Sequence, residues 1–220
     1  MSDHYPIRPA TEADIPFLAT AILAAEGSGT DKVSLATLFD VSLAEANALV
    51  IAMLEEGIDG CELSVSSFVV AEHEGAPVAT VAGWIEGQPD DMPSGLLKSN
   101  LIGFTYPPSG REALVRHKEV IGGMVVPRTA GCLQLEYAFV DDAHRGHGLA
   151  VRLFEAHIDP ARRRGVPKAQ LQVFSNLPHA IASYGRSGFT TAGIFRTEHP
   201  DALRFMPWNE KLLMERTLTP

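Results

Sequence analysis

Residues 132–150 read CLQLEYAFVDDAHRGHGLA, from Cys132 to Ala150, and the fold turns on how this stretch is divided. From 132 to 140 apolar and polar residues alternate, which predicts a strand with Leu133, Leu135, Tyr137 and Phe139 on one side and Gln134, Glu136 and Ala138 on the other. Asp141 to Arg145 then leads into Gly146 and Gly148 and an apolar-periodic run to about Arg164, which predicts a helix. The first amides of a helix lack intrahelical partners, and its aligned peptide dipoles place partial positive charge at that end. A strand that passes through glycines into a helix is therefore an anion site in principle, with Arg145 adding a cation.

Downstream, residues 169–174 read as a second strand, so 132–174 form a strand-helix-strand unit that favours a parallel pair. A short helix over 176–186 and strands over 189–196 and 211–218 follow. Upstream, residues 5–9 suggest a first strand. Thr11 with Asp14 opens a helix that carries Ile15, Leu18, Ile22 and Ala25 on one face, and Gly27-Ser28-Gly29 ends it. Ser42 with Glu45 opens a second helix through Leu43, Ala46, Leu49, Val50, Met53 and Leu54 to Gly57. Residues 67–72 and 78–85 predict an antiparallel hairpin around His73 to Pro77. Residues 88–131 are irregular, broken by Pro89, Pro93, Pro107, Pro108 and Pro127, with short helices expected near 96–102 and 112–120. Leu101, Ile102, Phe104, Leu114 and Val115 call for burial there.

Arg145, Gly148 and Ala150 match the pyrophosphate motif Q/R-x-x-G-x-G/A, and Asn176, Ala180, Tyr184 and Gly188-Phe189 follow with the spacing of a second block. On these residues the chain resembles the GNAT superfamily of N-acetyltransferases, well over 132–190 and only in the order and type of elements before that. The resemblance implies one α/β domain over residues 1–220 with an irregular insertion at about 88–131. Its sheet would be mixed and mostly antiparallel, twisted, with a central parallel strand pair and flanking helices. It further implies acetyl-CoA as acyl donor. The backbone of Ala138, Phe139 and Val140 would pair with the pantetheine arm. Arg145, Gly146, His147, Gly148, Leu149 and Ala150 would hold the pyrophosphate, Asn176 would contact the cofactor, and Tyr184 would protonate the departing thiolate. Two departures stand out: Asp142 occupies a position that often carries proline, and Pro160 interrupts the helix.

An alkylammonium with a pKa of about 10.4 must lose a proton before it attacks a thioester. Glu136, four residues before the corner, is the candidate acceptor, where some relatives carry an acidic group. A carboxylate that pairs with a neighbouring strand or orients substrate is the other reading, and Glu72 and Glu86 are possible substitutes. A backbone N–H near Val140 would take the oxyanion. Cys132 reads as a small core residue, Trp84 and Trp208 as core or as the lining of an acceptor pocket, with core the default, and Arg162 to Arg164 as a solvated face. His144 and His147 with Asp141 and Asp142 lack a distal ligand, so no metal is expected.

The chain has 220 residues, 45% hydrophobic and 20% charged, with a formal charge of -9. That balance suits a globular domain and argues against nucleic acid, whose affinity comes largely from Lys and Arg. A small-molecule amine or basic peptide fits better as acceptor. Two cysteines are too few for a disulfide framework, and no apolar run is long enough to span a bilayer, so a cytoplasmic protein off the membrane is expected. A homodimer is left open. The rival function is a non-catalytic acyl-CoA-binding regulatory module.

Overall fold

A computed structural model describes residues 4–88 and 91–218; Pro89, named among the prolines of the irregular segment, lies outside the described residues. Seven strands form one sheet in the order β1-β2-β3-β4-β5-β7-β6. They are β1 (Ile7–Pro9), β2 (Phe68–His73), β3 (Ala76–Ile85), β4 (Leu133–Val140), β5 (Lys168–Phe174), β6 (Thr190–Arg196) and β7 (Glu210–Thr217). Every neighbouring pair is antiparallel except β4 and β5, which run parallel. A parallel pair needs a crossover, and α6 (Leu149–Arg163) supplies it. The architecture is the mixed, mostly antiparallel sheet that the sequence implies.

Helices cover both faces. On one lie α1 (Ile15–Gly27), α2 (Ser34–Thr37), α3 (Leu43–Glu55), α4 (Ser94–Thr105) and α5 (Pro108–His117). Leu18, Ile22, Val50, Met53, Leu54, Phe68 and Tyr106 form the core between these helices and the sheet. The other face packs α6 and α7 (Pro178–Arg186) through Leu149, Leu153, Phe154 and Ile158, with Leu133, Leu135, Leu171 and Phe189. A last short helix, α8 (Ala202–Phe205), lies between β6 and β7.

Local chemistry sets several boundaries. At α3 the Ser42 N–H donates to Glu45 Oε2 at 2.8 Å and the Glu45 N–H to Ser42 Oγ at 3.2 Å, the reciprocal cap that the pair predicts. Thr11 N–H donates to Asp14 Oδ2 at 2.8 Å, and the turn it caps is a 3-10 turn before α1 starts at Ile15. In α6 the helix runs through Pro160 to Arg163, so the proline removes one hydrogen bond without ending the element. Gly83 on β3 sits under the His157 ring of α6, where an added Cβ would lie 2.6 Å from the imidazole. The segment around 88–131 is more ordered than its prolines suggest, since α4 and α5 occupy most of it. Leu101 is buried and Ile102 and Leu114 pack on the core, but Phe104 is 76% and Val115 64% exposed, against expectation. Helices of 12 and 10 residues with one packed side leave such residues on the other.

Candidate functional site

The alternation read from the sequence breaks inside β4. Register runs Thr80 to Phe139 and Ala82 to Glu136, so β4 carries one residue more than β3 across this interval, and Tyr137 takes φ 55°. The bulge corrects the facing expected for the strand. Leu133 and Leu135 point to the α6 face, as do Ala138 and Val140 beyond the bulge. Tyr137 joins the core on the α1 face, and the Phe139 ring meets Phe17 of α1 at 5.9 Å between centroids. Tyr137 and Phe139 thus share a side with Glu136 rather than opposing it.

Beyond the bulge β4 also parts from β5. The parallel pairing covers only Leu133–Ala169, Gln134–Gln170 and Leu135–Leu171, while Phe139 and Val140 are paired to β3 alone. The edge of residues 138–140 that faces β5 is therefore free of strand partners, as a segment needs to be to accept an extended ligand arm. Asn176 lies in the turn that ends β5, and its Oδ1 is buried with no hydrogen-bond partner. A buried acceptor without a donor calls for an explanation, and a ligand N–H or O–H in the splay would supply one.

At the end of β4 the chain makes a 3-10 turn (Asp142–His144), passes Gly146 at φ 86° and reaches Gly148 at φ 70°, which caps α6. Both φ values favour glycine. A Cβ built on either glycine meets nothing within 4 Å, so the space over the corner is open to a ligand. Leu149, Ala150 and the next residue present first-turn amides there. Arg145, expected as a cation for the phosphates, is bound to Asp142 at 2.5 Å, with 66% and 82% of the two side chains exposed. That pair also disposes of the unfavourable Asp142 charge by placing it in solvent against a cation. His147 is exposed, its ring 5.2 Å from that of Tyr5, and His144 Nδ1 lies 3.2 Å from the Tyr5 hydroxyl.

Tyr184 sits half-buried on α7, its ring 5.4 Å from Phe154, in the apolar cluster that also receives Ala138 and Val140. Burial pushes its phenol up to about 12. It stays protonated at neutral pH and can donate.

Glu136 lies on the other face, in a network that no local sequence pattern announces. Arg128, from the loop before β4, donates to Glu136 Oε1 through Nη2 at 2.6 Å and Nε at 3.2 Å, and Gln172 Nε2 of β5 donates to the same oxygen at 2.7 Å. All described hydrogen bonds to this carboxylate fall on Oε1, which leaves Oε2. Arg128 also donates to Glu62 at 2.8 and 3.2 Å, and Lys98 of α4 reaches Glu62 at 3.1 Å. Glu62 is fully buried, and burial alone would favour its neutral form. Lys98 and Arg128 outweigh that and hold it well below the usual carboxylate range. Tyr137 donates to Glu26 Oε1 at 2.9 Å and accepts from Lys98 Nζ at 3.3 Å. The substitutes considered for Glu136 are committed elsewhere: Glu72 pairs with Arg8 at 2.8 Å, and buried Glu86 accepts from Trp84 Nε1 and from Ser94. Cys132 is buried, and burial pushes its thiol up, so it is no nucleophile. Trp84 is core and carries the Arg128 guanidinium 5.0 Å over its ring, whereas Trp208 is 37% exposed. Among the described residues no group of three His, Cys, Asp or Glu side chains is placed to hold a metal, and no helix is long and apolar enough to cross a membrane.

Comparison with known proteins bears on this arrangement. Residues 52–189 match the pattern of the acetyltransferase (GNAT) family. Over 74 residues the chain is 36% identical to an acetyltransferase of Agrobacterium fabrum; the match takes in 34% of this chain and 53% of that one, about half its length. Among solved structures, an N-acetyltransferase from Staphylococcus aureus Mu50 superposes with a TM-score of 0.69 at 14% identity, over 96% of this chain and 99% of that one. A Salmonella typhimurium protein solved with its cofactor acetyl-CoA gives 0.54 at 18% identity, over 98% and 95%. At such identities the likeness is one of fold.

Proposed function

The chain belongs to the acetyltransferase (GNAT) family, whose pattern matches more than half of it, and from that premise we propose that it moves an acetyl group from acetyl-CoA to an amine. One observation carries this reading: a strand edge released by the β4–β5 parting, a bare-amide glycine corner and the orphaned Asn176 oxygen all lie at the same end of the parallel pair.

Acetyl-CoA would supply an activated thioester carbonyl. The amides of Gly146, His147, Gly148, Leu149 and Ala150 would hold its diphosphate, since charge-bearing oxygens gain most where helix amides are unpaired. Arg145 would add a cation by exchanging Asp142 for phosphate, a small cost for an exposed pair. The free edge of Ala138, Phe139 and Val140 would hydrogen-bond the pantetheine arm, and Asn176 would close against it. Tyr184, protonated to about 12, would give its O–H to the departing sulfur. On the opposite face Glu136 Oε2, directly or through one water, would take a proton from the acceptor's ammonium, and the neutral amine so formed would attack, while Arg128 and Gln172 fix the carboxylate by Oε1. A backbone N–H near Val140 would receive the carbonyl oxygen, and no covalent enzyme intermediate is required. The acceptor, a small-molecule amine or basic peptide, would approach over the α1 and α4 side, and the 88–131 insertion, within the same domain, would form a wall of its site. Two buried free cysteines suit a cytoplasmic protein.

Thiol release from acetyl-CoA by the full chain, followed over a panel of amines, tests the reading. Release that depends on the acceptor is expected. Tight acetyl-CoA binding with no release for any amine would favour the regulatory acyl-CoA-binding module instead.

A further inference from the structure

Charges on the α1 face of the strand parting do not all find partners. Lys98 is paired with Glu62, and Arg128 with Glu62 and Glu136. Lys211, at the start of β7, is different. It stands in register with Phe174, the last residue of β5, at the level where β4 and β5 have separated. Its half-buried side chain brings Nζ to 3.5 Å from Gln172 Oε1 and 4.9 Å from the centroid of the Phe174 ring. Among the described residues no carboxylate lies within ion-pair distance of it. Glu26 is the converse case. Its contacts are the hydroxyls of Tyr137 and Ser34, with no cation paired to it among the described residues.

From this arrangement, and resting on the acetyl-transfer reading above, we infer that Lys211 anchors a carboxylate of the acceptor, so that the acceptor is a small zwitterion bearing an amine and a carboxylate together. Three considerations support it. An ammonium withdrawn from water without a counter-ion is costly to maintain, and a ligand that supplies the anion recovers that cost on binding. Consistent with an unmet charge, burial lowers the proton affinity of Lys211, although Glu26 and Glu136 pull the other way. Next, Gln172 contacts both Lys211 and Glu136, so the anchor lies one side chain from the carboxylate assigned to the reacting amine. Last, Lys98 and Arg128 are already paired with Glu62 and Glu136, which leaves Lys211 and Glu26 as the cation and the anion of this face without ion-pair partners among the described residues. An acceptor that carries one carboxylate and one ammonium matches that pair, and a phosphate dianion does not.

The test uses product-like probes so that it does not depend on turnover. N-acetylglycine, N-acetylalanine, N-acetylmethionine and Nα-acetyllysine, each with its primary amide, are titrated calorimetrically into the full chain with CoA present. The expected result is that at least one acid binds more tightly than its amide by about tenfold, the worth of one charge-assisted hydrogen bond in a partly buried site. Lys211→Met should erase this preference and Lys211→Arg should keep part of it, with thermal melting confirming that both variants fold. Acids and amides that bind alike throughout, or a preference that survives in Lys211→Met, would overturn the assignment. Thiol release measured separately distinguishes the two levels: an acid preference carried by Lys211 without any release keeps the anchor and removes the transferase reading.

Discussion

The turn from β4 into α6 is exposed, is built on two glycines at positive φ and holds one solvent-facing ion pair, whereas the other face of the same strand gathers Glu26, Glu62 and Glu136 with Lys98, Arg128 and Lys211 from six separate segments. The first region offers peptide groups, whose direction is fixed by backbone conformation alone. The second works through side chains whose protonation and position depend on one another. The two should therefore fail differently: the corner should lose ligand and keep its fold, and the buried network should lose its fold when a partner is removed.

Arg128→Met gives the largest expected effect, because Glu136 and the fully buried Glu62 are then left with too few cations. A loss of about 3–5 kcal/mol in urea unfolding is expected, the cost of breaking a buried pair from one side. A loss below about 1 kcal/mol, the scale of surface pairs, would mean that the network is wetter than its burial implies. Next comes a pH effect on the α6 framework behind the corner. Burial pushes His157 down to about 4, so the folded chain keeps this imidazole neutral while the unfolded chain takes up a proton near pH ~6.5. Between these values the unfolded state binds more protons, so its stabilising contribution is complete above the unfolded pKa and falls as pH drops towards about 4, by up to about 3 kcal/mol. Denaturation at several pH values should show that slope in the wild type and a shallower one in His157→Gln. Tyr184→Phe should lower turnover by about 100-fold while the dissociation constant for acetyl-CoA stays within twofold or so. An unchanged rate would remove Tyr184 from the reaction. The smallest change in stability belongs to Gly148→Ala, where the added methyl meets nothing and only the φ of 70° resists it, about 1–2 kcal/mol; acetyl-CoA affinity should fall further than stability does.

The contrast also accounts for what the sequence could tell. The unit from β4 to α7 was legible because its signals are local: alternation in residues 132–140, glycines at the corner, and Asn176, Tyr184 and Gly188 at fixed spacing. The caps at Thr11 and Ser42 were legible for the same reason. Tyr137 was not, since nothing in LQLEYAFV marks a bulge, and a tyrosine at φ 55° defies the preference that a reader would apply. What holds it is distant: Glu26 receives its hydroxyl and Lys98 donates to it, at separations of 111 and 39 residues. Arg128 and Glu62 likewise meet across 66 residues. Long-range pairing of this kind leaves no periodicity behind, so the charged network on the α1 face is invisible in the sequence apart from Glu136, and nothing local to Glu136 announces its tie to Arg128. Phe104 and Val115 are exposed against expectation because hydrophobic residues imply burial less firmly than buried positions imply hydrophobic residues.

Central to the account is a diphosphate held by unpaired amides at the β4–α6 corner. The most direct measurement is calorimetric titration of the full chain with acetyl-CoA and, in parallel, with S-acetylpantetheine, which keeps the thioester and the arm but has no diphosphate. Binding of acetyl-CoA at least about 100-fold tighter is predicted, equivalent to about 2.7 kcal/mol. Equal affinity for the two, or no binding of acetyl-CoA to folded protein, would contradict it.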